Sequence, residues 1–280
     1  MRTHYIAYFS PAGATRTVAK MIEGALCRHG IKAVMLDLAP RGGADMTTLA
    51  AEVKADACLW LGTPVYVDHA VPQVLDFIAA LPQGADEATA VPFATWGAVC
   101  SGVTLPEMAQ HLQKSGWVTV GAAKVLARHS SLWESAEPLG AGHPNADAAD
   151  KMNALVEAVL EKLSTTPAAP LDVARLNYLP AAWAEEAWEK SLALVKTMLG
   201  AHQPDRGRCS SCGTCVDLCP TGAFIWEDGY PVVGESCVRC HQCTRHCPQQ
   251  AFANAGAAME IRLHQMAAQS PEKAETVICV

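Results

Sequence analysis

The chain has 280 residues, half of them hydrophobic, and 21 Lys and Arg against 28 Asp and Glu give a formal charge of −7. That composition suits two domains with buried cores and argues against nucleic acid as a partner. No apolar run reaches the ~18 residues of a membrane helix, and the N-terminus enters a strand with no plan of a secretory leader, so a cytoplasmic protein without a membrane span is expected.

The first half alternates strand and helix signals. Residues 5–9 form a short apolar strand that ends in Ser10-Pro11-Ala12-Gly13. Residues 15–28 follow as a helix with Val18, Met21, Ile22, Ala25 and Leu26 on one face, stopped by Gly30. A second strand over 31–38 leads through Gly42 and Gly43 to a helix near 46–54. Residues 57–61 are wholly apolar, as a central parallel strand should be. A helix over 71–81 carries Pro72 at its start. A fourth strand over 91–96, a helix over 105–115, a fifth strand over 117–126 and a helix over 148–163 complete the series. Five strands alternating with helices predict an open, doubly wound parallel sheet, with ligands at the carboxyl ends of the strands.

Three loops lie at those ends. Ser10, Ala12, Gly13, Ala14 and Thr15 combine small residues with hydroxyls just before a helix, a pattern for holding one phosphate on backbone N–H groups. Neither GxxxxGK[ST] nor GxGxxG is present, which argues against nucleoside triphosphates and dinucleotides. Gly62-Thr63-Pro64-Val65-Tyr66-Val67 reads as the second loop, and residues 95–102, with Thr95, Trp96, Gly97, Cys100 and Gly102, as the third. Both set aromatic side chains beside free backbone, as an isoalloxazine ring requires.

Together these residues resemble the flavodoxin family over residues 3–163, with Ser10, Gly13, Thr15 and the Gly-Thr-Pro-Val-Tyr string carrying the likeness. The resemblance implies a flavodoxin-like α/β fold with five parallel strands in the order 2-1-3-4-5. It also implies an FMN site formed by Ser10, Ala12, Gly13, Ala14 and Thr15, by Thr63, Pro64, Val65, Tyr66 and Val67, and by Thr95, Trp96, Gly97 and Gly102, with Tyr66 or Trp96 stacked on the ring. Ala12 and Ala14 stand where hydroxyls are common in that family, which leaves backbone N–H groups as donors there.

Residues 164–170 read as a proline-bearing linker. From Pro180, the residues Trp183, Ala187, Ser191, Leu192, Val195 and Leu199 predict one amphipathic helix that packs the two domains together. The alternative is that Trp183 and Trp188 line a surface for substrate or partner.

Eight of the twelve cysteines fall in two copies of C-x2-C-x2-C-x3-C-P: Cys209, Cys212, Cys215, Cys219 and Pro220, then Cys237, Cys240, Cys243, Cys247 and Pro248. A shift of 28 residues superimposes the copies and also maps Ala223 on Ala251 and Phe224 on Phe252. The spacing is that of cubane 4Fe–4S clusters. A disulfide framework suits small secreted domains, and structural zinc does not need the third and fourth cysteines at this spacing.

Residues 205–256 resemble the bacterial two-cluster ferredoxins, with a hairpin around Gly229 between the copies. The resemblance implies a small α+β ferredoxin-like domain in which each fourth cysteine serves the other cluster. One cluster then takes Cys209, Cys212, Cys215 and Cys247, and the other Cys237, Cys240, Cys243 and Cys219. Acidic and basic residues in this segment nearly balance, unlike the usual acidic shell. His241 and His246 are expected to be exposed loop histidines, and residues 257–280 a C-terminal extension. Cys58 is expected as buried filler and Cys100 as an inert thiol.

The four segments expected are thus 1–163, 164–204, 205–256 and 257–280. An electron-transfer protein is expected, passing low-potential electrons between two clusters and an FMN, with redox proteins as donor and acceptor, in an oxygen-poor prokaryote. The alternative is a flavin-dependent reductase of a small-molecule substrate, for which Asp68, His69, and His129 with Ser130 and Ser131 are candidate proton donors; no residue is assigned a catalytic role. A sensing module without flavin is a third reading.

Overall fold

Strands that are apolar on both faces must be covered on both sides, and the helices of this chain do so. The structure is a computed structural model and describes residues 2–40, 42–200, 202–254 and 256–280. In chain order the first half contains β1 (His4–Tyr8), α1 (Ala14–Arg28), β2 (Val34–Asp37), α2 (Met46–Ala51), β3 (Cys58–Tyr66), β4 (His69–Ala70), α3 (Pro72–Ala80), β5 (Thr89–Trp96), α4 (Thr104–Lys114), β6 (Val118–Thr119), β7 (Ala122–Leu126) and α5 (Ala146–Leu163). The second half adds α6 (Ala181–Glu189), α7 (Leu192–Leu199), α8 (Thr214–Asp217), β8 (Phe224–Glu227), β9 (Tyr230–Val233), α9 (Gln242–His246), α10 (Gly256–Gln269) and β10 (Val277–Cys279).

The main sheet runs β2-β1-β3-β5-β7 with every neighbouring pair parallel. This is the flavodoxin-like order expected from the sequence, with β1 and β3 at the switch point. Alternation along each strand sorts the core into two layers. Tyr5, Ala7, Leu59 and Leu61 face the layer that holds Val74, Phe77 and Met108 of α3 and α4. Ile6, Tyr8, Trp60 and Phe93 face the layer that holds α1 and α5. In α5, Asn145 caps the amide of Ala148 at 3.1 Å, and Met152, Leu155, Val156 and Val159 recur at helical spacing and are buried.

Four sequence expectations change. Gly62–Tyr66 is not a loop: β3 continues to Tyr66, and Gly62, Thr63 and Pro64 pair with Phe93, Ala94 and Thr95. A side chain on Gly62 would strike the Phe93 ring, so close packing rather than a turn explains that glycine. The fifth strand is split into β6 and β7. The single amphipathic helix is two helices: Lys190 and Ser191 are extended, and the Ser191 hydroxyl caps the amide of Leu194 at 3.1 Å. Finally, the C-terminal extension returns to the first domain, where β10 lies antiparallel on β7 at the sheet edge.

In the cysteine-rich segment the 28-residue repeat extends to backbone conformation. Ser211, Gly213 and Gly222 have positive φ, and so do their counterparts Arg239, His241 and Gln250. Asp228 and Gly229, with φ of 50° and 78°, form the tight turn between β8 and β9.

Candidate cofactor sites

A cavity of about 800 Å³ opens at the carboxyl ends of the main strands. Ser10, Ala12, Gly13, Ala14 and Thr15 line one end, Pro64, Val65, Tyr66 and Val67 a second wall, and Thr95, Trp96 and Gly97 a third. Thr63 and Gly102 lie outside it. The Thr63 hydroxyl donates to the Pro64 carbonyl at 2.9 Å and accepts from the Val71 amide at 3.2 Å, so it ties a turn. Gly102 packs on the Asp68 carbonyl with φ +61°.

The first loop is shaped as an anion cradle. Gly13 caps α1 with φ 95°, and space for 4 Å around its missing side chain is empty. The Ser10 oxygen accepts from the Arg16 amide at 2.9 Å, which leaves its own proton free to donate. Thr15 and Thr95 share a buried hydroxyl pair at 2.8 Å. Arg16 turns away to Asp37 at 2.6 Å, so helix and backbone dipoles supply the positive end.

Buried polar atoms without partners mark where a ligand is expected. Tyr66 Oη, Trp96 Nε1, His143 Nδ1 and Arg245 Nε are such atoms, and all four residues line this cavity. Burial pushes the Tyr66 phenol up, and the nearby Cys240 adds to this, so it stays protonated as a donor. Trp96 is packed beneath Lys124, whose ammonium lies 5.0 Å from the ring centroid. The cavity is thus polar at set points and unsatisfied there, which fits a flavin with its ring edge and phosphate.

Of the proton-donor candidates, Asp68, His129, Ser130 and Ser131 line the cavity and His69 does not. His69 is held by Glu107 at 2.9 Å and by the Ala187 carbonyl at 2.8 Å. Half-burial would lower its pKa, but the Glu107 carboxylate outweighs this and raises it. Asp68 is bound to Lys190 at 2.8 Å. Burial lowers His129 to about 4, so it is neutral at pH 7, with Nδ1 accepting from the Ser131 amide at 3.3 Å. The Cys100 thiol also lines the cavity, and burial first, then Asp68 and Glu272, push it up to about 12, as an inert thiol requires. Cys58 is fully buried.

The cysteine-rich segment supplies a further wall, which sequence reading missed. Val238, Arg239, His241 and Arg245 of the second copy line the cavity. Val238 is 2% exposed within the core layer of α3 and α4, where Cys240 and Tyr66 also pack. Gln242 Nε2 donates to the Pro11 carbonyl in the phosphate loop. Arg245 donates to the Ser130 carbonyl at 2.6 Å and stacks 5.1 Å from the Trp133 ring. His241 is therefore not an exposed loop histidine: its ring lies 6.0 Å from Trp133 and 5.1 Å from His202, and burial lowers it to about 4. His246 is exposed as expected.

Cys209, Cys212, Cys215 and Cys247 line one small cavity with Pro248 and Phe252. Of the other four repeat cysteines, Cys240 lies close to Cys219 and Cys237, and Cys243 close to Cys240 and Cys237. Burial pushes Cys240 and Cys243 up to about 12, and neighbouring thiols of the same set add to it. Like charges cannot gather there without a cation, so this donor set fits a cationic iron core. Main-chain amides point at sulfur in matching pairs: Ser211 on Cys209 and Arg239 on Cys237 at 3.4 Å, Ala223 on Cys219 at 3.2 Å and Ala251 on Cys247 at 3.3 Å. Such bonds tune thiolate ligands.

The family of 4Fe-4S binding domains matches residues 202–225. An uncharacterized ferredoxin of Methanocaldococcus jannaschii is 42% identical over 53 residues, which cover 17% of this chain and 69% of that ferredoxin. The chain belongs to the ferredoxin family. As a ferredoxin it is an iron–sulfur electron carrier, and the flavodoxin-like sheet makes it a larger one than its relative. Among solved structures, a flavodoxin from the domain Archaea is 16% identical with a TM-score of 0.41, covering 58% of this ferredoxin and 99% of that chain. Rubredoxin oxygen:oxidoreductase from Desulfovibrio gigas is 15% identical with a TM-score of 0.43, covering 60% of this chain and 38% of that protein. Among the described residues, no helix is long and apolar enough to cross a membrane.

Proposed function

We propose that this ferredoxin is an electron-transfer flavo-iron–sulfur protein with one FMN and two 4Fe–4S clusters. Ser10, Gly13 and Thr15, with the amides of Ala12 and Ala14, hold the phosphate. Tyr66, Trp96 and the backbone at Pro64, Val65, Val67, Thr95 and Gly97 hold the ring. One cluster is held by Cys209, Cys212, Cys215 and Cys247, the other by Cys237, Cys240, Cys243 and Cys219. Bound there, the clusters exchange single electrons and the flavin takes one or two.

The observation that carries this reading is that Val238, Cys240 and Tyr66 pack in one core layer, with the Cys240 thiol near enough to the Tyr66 phenol to raise it. The second cysteine loop forms part of the cavity wall, so these residues exclude water between the two cofactor sites and fix their separation. Cys212 is exposed, on the side open to a diffusing redox protein. Reduction of a small molecule is the second reading, favoured by a cavity that continues beyond the three strand-end loops to α7 and α10.

Metal and flavin analysis of anaerobically prepared protein tests the proposal. About eight irons and one FMN per chain are expected, from two cubane clusters and one phosphate cradle. Four irons, or flavin absent after reconstitution with FMN, overturns it. Turnover with one small acceptor far above that with viologen dyes would favour the second reading.

A further inference from the structure

The outer half of the large cavity is built from segments that neither a flavodoxin-like sheet nor a two-cluster ferredoxin needs. Helix α7 contributes Leu194, Val195, Met198 and Leu199, and α10 contributes Met259, Arg262, Leu263 and Met266. Met259, Leu263 and Met266 follow at spacings of four and three, so one face of α10 looks into the cavity. Much of this apolar wall remains accessible: Met198 is 71% and Leu194 49% exposed. Methionine and leucine on paired helices make an adaptable apolar surface.

The lining also carries charge. Arg128, Lys190, Arg239, Arg245 and Arg262 line the cavity, and Asp68 is the one carboxylate among its lining residues. None of these cations belongs to the phosphate loop, whose own Arg16 is committed to Asp37. In a chain of net charge −7, a cavity with four arginines against one acid is selective for anions. Arg128, Arg239 and Arg245 each donate to main-chain carbonyls, and Lys190 pairs with Asp68 and Glu186. None of the four arginines has a carboxylate partner among the described residues, and a flavin phosphate seated at Gly13 leaves them so.

We propose that this outer half binds a small organic monoanion with an apolar body, a carboxylate on a hydrocarbon frame, with the α7 and α10 side chains on the frame and Arg262 and Arg128 at the carboxylate. The proposal rests on the flavin reading for the use of the inner half. Octanoate is the probe, with 1-octanol and octylammonium as comparators, titrated by calorimetry into the cofactor-loaded full chain. Saturable binding of octanoate at least about tenfold tighter than either comparator is expected, since a charge-assisted contact is lost in both. Arg262→Gln weakens octanoate about tenfold and leaves octanol unchanged, and Met266→Asp, which puts a second acid in the wall, abolishes it. Both sites are exposed on α10, and far-UV circular dichroism verifies folding. Flavin-loaded protein that gives no saturable heat with octanoate, or equal affinity for octanol, overturns this proposal and leaves the flavin reading standing. Octanoate binding that depends on Arg262 in a protein that takes up no FMN sinks the flavin reading instead.

Discussion

Glu272 joins the C-terminal segment to the third cofactor loop, and its removal tests how that loop is held. Its carboxylate accepts from the Ser101 amide at 2.6 Å, from the Ser101 hydroxyl and from the Lys124 ammonium. The side chains of Lys124 and Glu272 are 9% and 3% exposed. Glu272→Gln removes the charge and leaves the Lys124 ammonium buried. Stranding one partner of a buried pair costs about 3–5 kcal/mol. The Trp96 and Tyr178 rings, 5.0 and 4.2 Å from Lys124, still attract the cation and recover ~1 kcal/mol. A net loss of about 2–4 kcal/mol corresponds to a fall in Tm of about 5–15 °C for a domain of this size. Calorimetry of the main unfolding transition reads it. The double variant Lys124→Met with Glu272→Gln is expected to recover most of the loss, because no charge is left to bury and the amide oxygen at position 272 still accepts from Ser101. A Glu272→Gln protein that melts within about 1 °C of the parent, or a double variant that is as unstable as the single one, would refute the account.

Other predictions concern backbone, protons and ligands. Gly13→Ala has room for its methyl group but must adopt φ 95°, so it costs about 1–2 kcal/mol and weakens FMN binding, read by quenching of FMN fluorescence. Burial lowers His4, with a smaller push from Arg2, to about 4, and lowers His129 to about 4. The unfolded chain therefore binds more protons than the folded one between pH 4 and 6.5. Stability from these groups is complete above pH 6.5 and falls as pH drops, by ~1.4 kcal/mol per unit for each histidine. Urea midpoints between about pH 4.5 and 6 measure the slope, which His4→Asn should reduce by just under one proton. In electron paramagnetic resonance, Cys247→Ser should alter the same reduced signal as Cys209→Ser, and Cys219→Ser the same one as Cys237→Ser. Pairing within each copy of the repeat would contradict the assignment.

The parallel sheet was legible because periodicity separates a helix such as α1 from a wholly buried strand such as β5, and the loop before α1 drew notice because small residues and hydroxyls gather there. Gly62 and Pro64 misled because both usually punctuate chains. Here the glycine makes room for Phe93, and the proline sits near the strand end. The break at Ser191 was hidden because a serine cap and a serine on a helix face look alike in sequence. Three residues of β10 carry too little pattern to be read as a strand. The histidine at position 241 looked exposed because its burial depends on Trp133 and His202, both distant in sequence. Arg245 and Trp133 gave no local signal, since their contact is tertiary.

The return of β10 to the edge of β7 has a consequence for chain connectivity. The chain between α5 and β10, the cysteine repeat included, adds no strand to the main sheet before β10 returns to it. A module hung from one linker can swing away and pair with other molecules, whereas one tethered at both ends keeps a high effective concentration beside its own sheet. Cleavage within residues 164–170 would cut one tether only, so the iron–sulfur part should stay with the sheet through gel filtration.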